Sequence, residues 1–222
     1  MNNTKQLVLA WVMYAVDNND KIAPVWDNGG TVGTAFDWAK YWCGGTMSDP
    51  LNSINEQPLR VGLLFSYVGN VKIYKCVADN STQNFPTPTG PPRVRSISCS
   101  QTFAAGAWLP ATTYRTYTKV STIVKPSDTW VFIDEEPHSI NDGGFAVQMT
   151  PDAATSASEP DFPAGYHGSA GGLSFSDGHS ALRKWKSPRT FTPPNPITTY
   201  SGNDPAFLTD MKWLSSVTTV PK

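Results

Sequence analysis

The chain opens on a helical pattern. In MNNTKQLVLAWVMYAVDNNDK, Leu7, Trp11 and Tyr14 recur at i, i+4 and i+7, and Val8, Val12 and Ala15 follow one position on. Apolar residues on two adjacent rows make a broad stripe, which predicts a helix over about 3–16 buried along much of its girth. The polar run Asp17, Asn18, Asn19, Asp20, followed by Pro24, stops it. From 23 to 66 the pattern is irregular. Gly29-Gly30 and Gly44-Gly45 punctuate a stretch rich in aromatics, read as loops with a helical turn or two near 34–42. Leu59, Val61, Leu63 and Leu64 predict a short helix over 58–65, leading into a strand at Val71-Lys72-Ile73-Tyr74.

Period-two alternation takes over after the Pro-rich stretch Phe85 to Pro92. Val94 to Ser100 alternates as a strand, and Thr129 to Glu136 combines aromatic and β-branched residues in a run that predicts burial on both faces. Asn141-Asp142-Gly143-Gly144 marks a turn inside 139–147. The strongest local signal is Gly172 to Trp185, where Asp177-Gly178 separates two alternating runs. Asp-Gly there predicts a two-residue type I′ hairpin turn, with Ser176 facing His179 and Leu173 facing Leu182. The tail beyond Lys186 is rich in Pro and Thr, and its apolar pieces, Phe207-Leu208 and Trp213-Leu214, are expected to dock back. A helix followed by antiparallel strands with long connections is an α+β architecture. We expect a single domain over 1–222: the helix at 1–20, loops and sheet at 21–186, and the docking tail at 187–222.

Composition narrows what such a domain does. A chain of 222 residues fits one domain and buries a sizeable core. Seventeen Lys plus Arg against 18 Asp plus Glu leave a net charge of −1, so there is no basic footprint for nucleic acid or an anionic membrane surface. No stretch reaches the roughly 18 apolar residues of a membrane helix. The chain as given therefore reads as soluble, with a helix that either starts the protein or continues a piece lying upstream. Trp26, Trp38, Trp42 and Trp108 fall in loop-like sequence, and exposed indoles are how β-rich modules stack on sugar rings. A secreted carbohydrate-binding module is thus a second reading, although a chain poor in Leu and Ile is expected to bury most of its aromatics. Cys43, Cys76 and Cys99 lack the short paired spacings of a thiolate zinc site. Either Cys76 and Cys99 form a bridge around the Pro-rich loop, or all three are buried free thiols.

Several polar groups are candidates for chemistry. Asp134 and Glu136, two apart on one strand, share a face, and His167 and Asp177 flank the hairpin. Together these four residues would make a cation site. The competing account is structural: Asp177 supplies turn geometry, and His167 pins a loop by hydrogen bonding. The run Asp17 to Asp20 lacks the spacing of an EF-hand loop and reads as a helix end. His138 with Ser139, and His179 with Ser180, are sequence neighbours on strands, where adjacent side chains point to opposite faces, so neither makes a nucleophile–base pair. Asp134 with Glu136 also meets the spacing of a glycosidase acid pair, but a solvated strand end explains them more simply.

Five blocks in order resemble a large pseudopilin-like, prepilin-type family with an H-x9-DG signature. They are the opening helix segment; Tyr74-Lys75-Cys76 with Asp79; Asp134-Glu135 with Ser139-Ile140-Asn141-Asp142-Gly143; Tyr166-His167, nine residues, then Asp177-Gly178 with His179 and Trp185; and Asn203-Asp204-Pro205 with Trp213-Leu214. The chain departs from the family pattern at Thr4, at Val77-Ala78 and at Cys99. The resemblance implies a pilin-like fold, an N-terminal helix packed on an antiparallel sheet with long loops, in which Leu7, Trp11 and Tyr14 hold the head to the helix. His167, Asp177 and Gly178 become signature residues. It further implies a prepilin-type leader and an apolar helix upstream of residue 2, which would anchor the protein in the bacterial inner membrane with a periplasmic head. The implied role is structural and non-enzymatic, with other pseudopilins and the inner-membrane assembly of a type II secretion system as partners. Related major pseudopilins hold calcium, though a calcium cage takes six to eight oxygens and rarely a histidine; no other cofactor is implied.

Overall fold

The computed structural model describes residues 2–25, 37–103, 109–193 and 198–222. The first helix forms as expected, as α1 (Asn2–Asp17). Leu7, Val8 and Trp11 are wholly buried, and the half-buried Tyr14 meets Tyr67 edge-on with ring centroids 6.0 Å apart. Its polar stop works through backbone geometry. Asn19 adopts a left-handed conformation with φ of 56°, and the Asp20 amide donates back to the Ala15 carbonyl at 2.8 Å, which is the Schellman closure of a helix end. Asp20 then accepts from the Ser121 amide at 3.2 Å and from its hydroxyl, pinning the turn to a distant loop.

The following stretch departs from expectation twice. The helix predicted at 58–65 splits into α2 (Gln57–Arg60) and α3 (Phe65–Val68), because the Leu63 amide turns out to donate to the Tyr41 carbonyl at 2.9 Å instead of continuing the helix. Val71–Tyr74 is a 3-10 turn rather than a strand. Asn70 caps it, its side chain accepting from the Lys72 amide at 3.0 Å, and this local bond overrides the β preference of Val and Ile.

Seven strands follow: β1 (Ile97–Ser100), β2 (Trp130–Asp134), β3 (Gly144–Phe145), β4 (Ala157–Glu159), β5 (Ala170–Phe175), β6 (Ser180–Lys184) and β7 (Tyr200–Gly202). Five make a sheet of order β3-β1-β2-β5-β6, and β4 pairs with β7 apart from it. The pairings are antiparallel except for β1 with β3, which run parallel. The molecule is thus mixed α and β, with an N-terminal helix against an antiparallel-rich sheet.

Central strand β2 is buried along its whole length, as its composition predicts. It also carries one extra residue: Trp130 pairs with Phe175 and Phe132 with Ser174, so Val131 is bulged. Val131 and Phe132 therefore both enter the core under α1, with Leu7, Trp11 and Trp42, while Trp130 and Ile133 enter a second core on the opposite face. Alternation on β5 leaves the small Gly172 and Ser174 on the α1 side, so the helix packs close to that strand.

The tail docks on the far face, as α4 (Pro205–Ser216). Phe207, Met211 and Leu214 pack there against Trp130, Phe145 and Leu173. Asp204 caps the helix by accepting from the Phe207 amide at 2.8 Å, and Pro205 at the first helical position has no amide to leave unsatisfied. Buried Asp210 ties the preceding segment to α4, accepting from the amides of Lys186 and Ser187 and from the Thr190 hydroxyl at 2.8–3.0 Å.

The β5–β6 hairpin forms with a different turn. A type I′ turn needs positive φ at both Asp177 and Gly178, but only Gly178 has it, at 92°. The Phe175 amide donates to the His179 carbonyl at 2.9 Å, so the connection is the three residues Ser176-Asp177-Gly178, with the left-handed glycine last. Leu173 consequently faces Ala181, not Leu182. Among the described residues no helix is long and apolar enough to cross a membrane.

Candidate functional site

Three segments distant in sequence converge below the first turn of α1. The first is the end of β2, where Asp134 is 1% exposed. Its Oδ2 accepts from the Gly172 amide at 3.1 Å, and its Oδ1 is buried with no hydrogen-bond partner. Burial pushes this carboxyl above its usual range, although the Gly172 amide and the nearby His167 ring oppose the shift.

The second segment is the turn before β5. Gly168 and Ser169 both take φ of 65°, and the tight turn closes with the His167 amide donating to the Ala170 carbonyl at 3.1 Å. This aims the His167 ring inward, with its Nε2 3.7 Å from Asp134 Oδ2. The third follows the 3-10 turn at 71–74. The Cys76 amide donates to Ser96 Oγ at 2.8 Å, which places Cys76 Sγ 3.5 Å from the same His167 Nε2. The ligand atoms of Cys76, Asp134 and His167 all lie within 4.8 Å of one another. Burial, with the Asp134 charge adding to it, pushes the Cys76 thiol up to about 11.

A cleft of about 490 Å³ opens beside Cys76, lined also by Lys72, Lys75, Asp79 and Arg93. Asn3 of α1 braces its wall, donating to the carbonyls of Lys72 and Lys75 at 3.1 and 2.6 Å. Asp79 is itself structural: it accepts from the Ser81 amide and hydroxyl at 2.8 and 2.9 Å and pairs with Lys75 at 3.2 Å.

Of the four residues expected to form a cation site, only Asp134 and His167 meet. β2 ends at Asp134, so the two-residue period lapses before Glu136. Glu136 instead accepts from the His138 amide at 2.7 Å and pairs with the His138 ring at 2.8 Å. Asp177 lies at the other end of β5, whose six residues span about 20 Å. There its Oδ1 takes the His179 amide and ring nitrogen at 3.0 and 2.6 Å, and that ring stacks on Phe175 with centroids 4.3 Å apart. Burial raises the Asp177 pKa, but the bonds from His179 outweigh it and the carboxyl stays below its usual value. His167 and Asp177-Gly178 are thus the two ends of one strand and not one site. A donor set of one carboxylate, one thiol and one imidazole is also not calcium's.

Other expectations are resolved similarly. The Cys76–Cys99 bridge is not formed, and Cys43, Cys76 and Cys99 are free. Cys99 sits within β1 opposite Phe132, in the core with Cys43, while Cys76 faces His167. Ser139 donates to Glu135 at 2.9 Å and His138 holds Glu136, so that pair forms no nucleophile and base. Of the loop tryptophans, Trp42 is wholly buried, stacked on Tyr74 at 5.8 Å. Trp38 is half-buried, and Trp26 and Trp108 lie outside the described residues. Cys76 is the site residue that sequence reasoning did not place beside His167; its only signal was membership of the Tyr74-Lys75-Cys76 block.

No family model, no curated protein and no solved structure matches the chain.

Proposed function

We propose that this chain is the head of a pilin-like filament subunit, a structural and non-enzymatic protein of the kind that builds type II secretion pseudopili. The observation that carries this reading is the outer face of α1. While one side of the helix is sealed into the core, Leu9, Met13 and Val16 recur at i, i+4 and i+7 on the other and are 46, 54 and 77% exposed. A surface helix of a free-standing domain carries polar residues on that side. A helix apolar on both faces has a second surface to cover, which the packing of neighbouring subunits around a filament axis supplies. In this reading α1 continues upstream into an apolar membrane segment, the head lies in the periplasm, and the partners are other pseudopilins and the inner-membrane assembly.

The test begins with the coding sequence upstream of residue 2. A short basic leader ending in Gly, followed by about 20 apolar residues, supports the reading; a cleavable secretory signal there overturns it. In the full-length protein, changing Leu9, Met13 and Val16 together to Gln should leave the melting temperature of the head unchanged and abolish co-assembly. Normal assembly of that variant would sink the proposed role of the outer face.

A further inference from the structure

We infer that Cys76, Asp134 and His167 are three protein ligands of a zinc-class divalent metal ion, with a fourth position left for water or an exogenous ligand. The spacing is the first argument. Zinc binds sulfur at about 2.3 Å and nitrogen or oxygen at about 2.0–2.2 Å, so neighbouring ligands around a tetrahedral ion stand roughly 3.4–3.6 Å apart. Sγ to Nε2 is 3.5 Å and Nε2 to Oδ2 is 3.7 Å. Little movement is needed to seat an ion among them.

Direction is the second argument. In a nucleophile–base–carboxylate relay, the imidazole presents one nitrogen to the nucleophile and the other to the carboxylate. Here the thiol and the carboxylate both face Nε2. Three donors aimed at one point make a cage, and no proton path runs through the ring from one partner to the other.

Charge and satisfaction complete the case. A thiolate and a carboxylate carry two negative charges between them, which a divalent ion neutralises, and burial favours a site without net charge. Asp134 is 1% exposed, and its Oδ1 has no hydrogen-bond partner. Either oxygen of that carboxylate is therefore available to a metal at no cost to another bond except the one from Gly172. Imidazole with thiolate selects zinc-class ions over calcium and magnesium, which take oxygen ligands. Cys76 also lines the cleft, and the His167 side chain is 26% exposed, so an ion has a route in.

The experiment uses the purified chain, stripped with chelator and titrated with Co2+ and then Zn2+. Stoichiometric binding of one Co2+ is expected, with an intense thiolate-to-cobalt absorption band that one equivalent of Zn2+ abolishes. Zn2+ at a hundredfold excess over its Kd should raise the melting temperature by roughly 5–10 °C. Cys76→Ser should lose the thiolate band, and His167→Gln should weaken binding by at least the roughly 10–100-fold seen for lost outer-shell groups. Both variants should melt with the wild type in chelator; if Cys76→Ser does not, the half-exposed His167→Gln decides alone. Absence of one-to-one binding, absence of the thiolate band in the wild type, or unchanged affinity in His167→Gln overturns the assignment.

Discussion

Trp11→Ala tests the seating of α1 most directly. The side chain is wholly buried, tilted against Phe103 at 5.2 Å between centroids, in the core that also holds Val131 and Phe132. An indole burying about 200 Å² at ~25 cal/mol/Å² contributes about 5 kcal/mol as an upper bound. Truncations of this kind cost about 3–5 kcal/mol, a large share of the 5–15 kcal/mol by which domains are stable. For a chain of this size the melting temperature should fall by roughly 6–20 °C. A second variant sharpens the reasoning. Trp11 Nε1 is buried without a hydrogen-bond partner, so Trp11→Phe sacrifices volume but no bond and should cost about 1–2 kcal/mol, well under the alanine change. Thermal melts followed by circular dichroism measure both. An alanine variant melting within a degree or two of wild type would refute the claim that this residue seats the helix. A phenylalanine variant as unstable as the alanine one would refute the absence of a bond at Nε1.

Two further outcomes follow from buried or strained positions. Burial, with Asp210 and Asp161 adding repulsion, pushes the Glu159 carboxyl well above its usual 4.5. The folded state then holds a proton that the unfolded state releases, so wild-type stability should fall as pH rises from about 4.5 through the folded value, and Glu159→Gln should flatten that decline and melt higher at neutral pH; parallel pH profiles for the two proteins would contradict this. Gly178→Ala places a side chain at φ of 92° with only an ordinary contact, Leu9 Cδ2 at 3.7 Å, so it should cost about 1 kcal/mol from the backbone alone, and an unchanged melt would argue against the left-handed turn.

What the sequence made legible is what local period controls. α1, β2 and the β5–β6 hairpin each carry their signal within a dozen residues, and each appears where that signal lies. α4 was seen only as apolar fragments, because Asp210 and Lys212 interrupt the stripe and the value of Asp210 as an acceptor for 186–190 depends on tertiary contact. Val71–Tyr74 reads as a strand by residue type and becomes a 3-10 turn through one side-chain cap at Asn70. In the site, Asp134 and His167 were identified because one ends a strand and the other belongs to a signature. Glu136 and Asp177 were included by extending a strand's period beyond its end and by treating nearness in sequence as nearness in space. Cys76 lies 91 residues from His167, and only the fold relates them.

The bulge at Val131 has a consequence for how this family of folds tolerates changes in chain length. In a regular strand buried on both sides, adding or removing one residue transposes every later side chain between the faces. Here the surplus residue is absorbed at once, so Ile133 and Asp134 keep the sides they would have if Val131 were missing. Ironed flat, the same strand would turn Asp134 away from Cys76 and His167 and toward Phe207 and Met211. Position 131 is therefore a splice point: insertions and deletions confined to it leave the two cores and the three-residue cluster intact, and those a residue or two further along exchange one for the other.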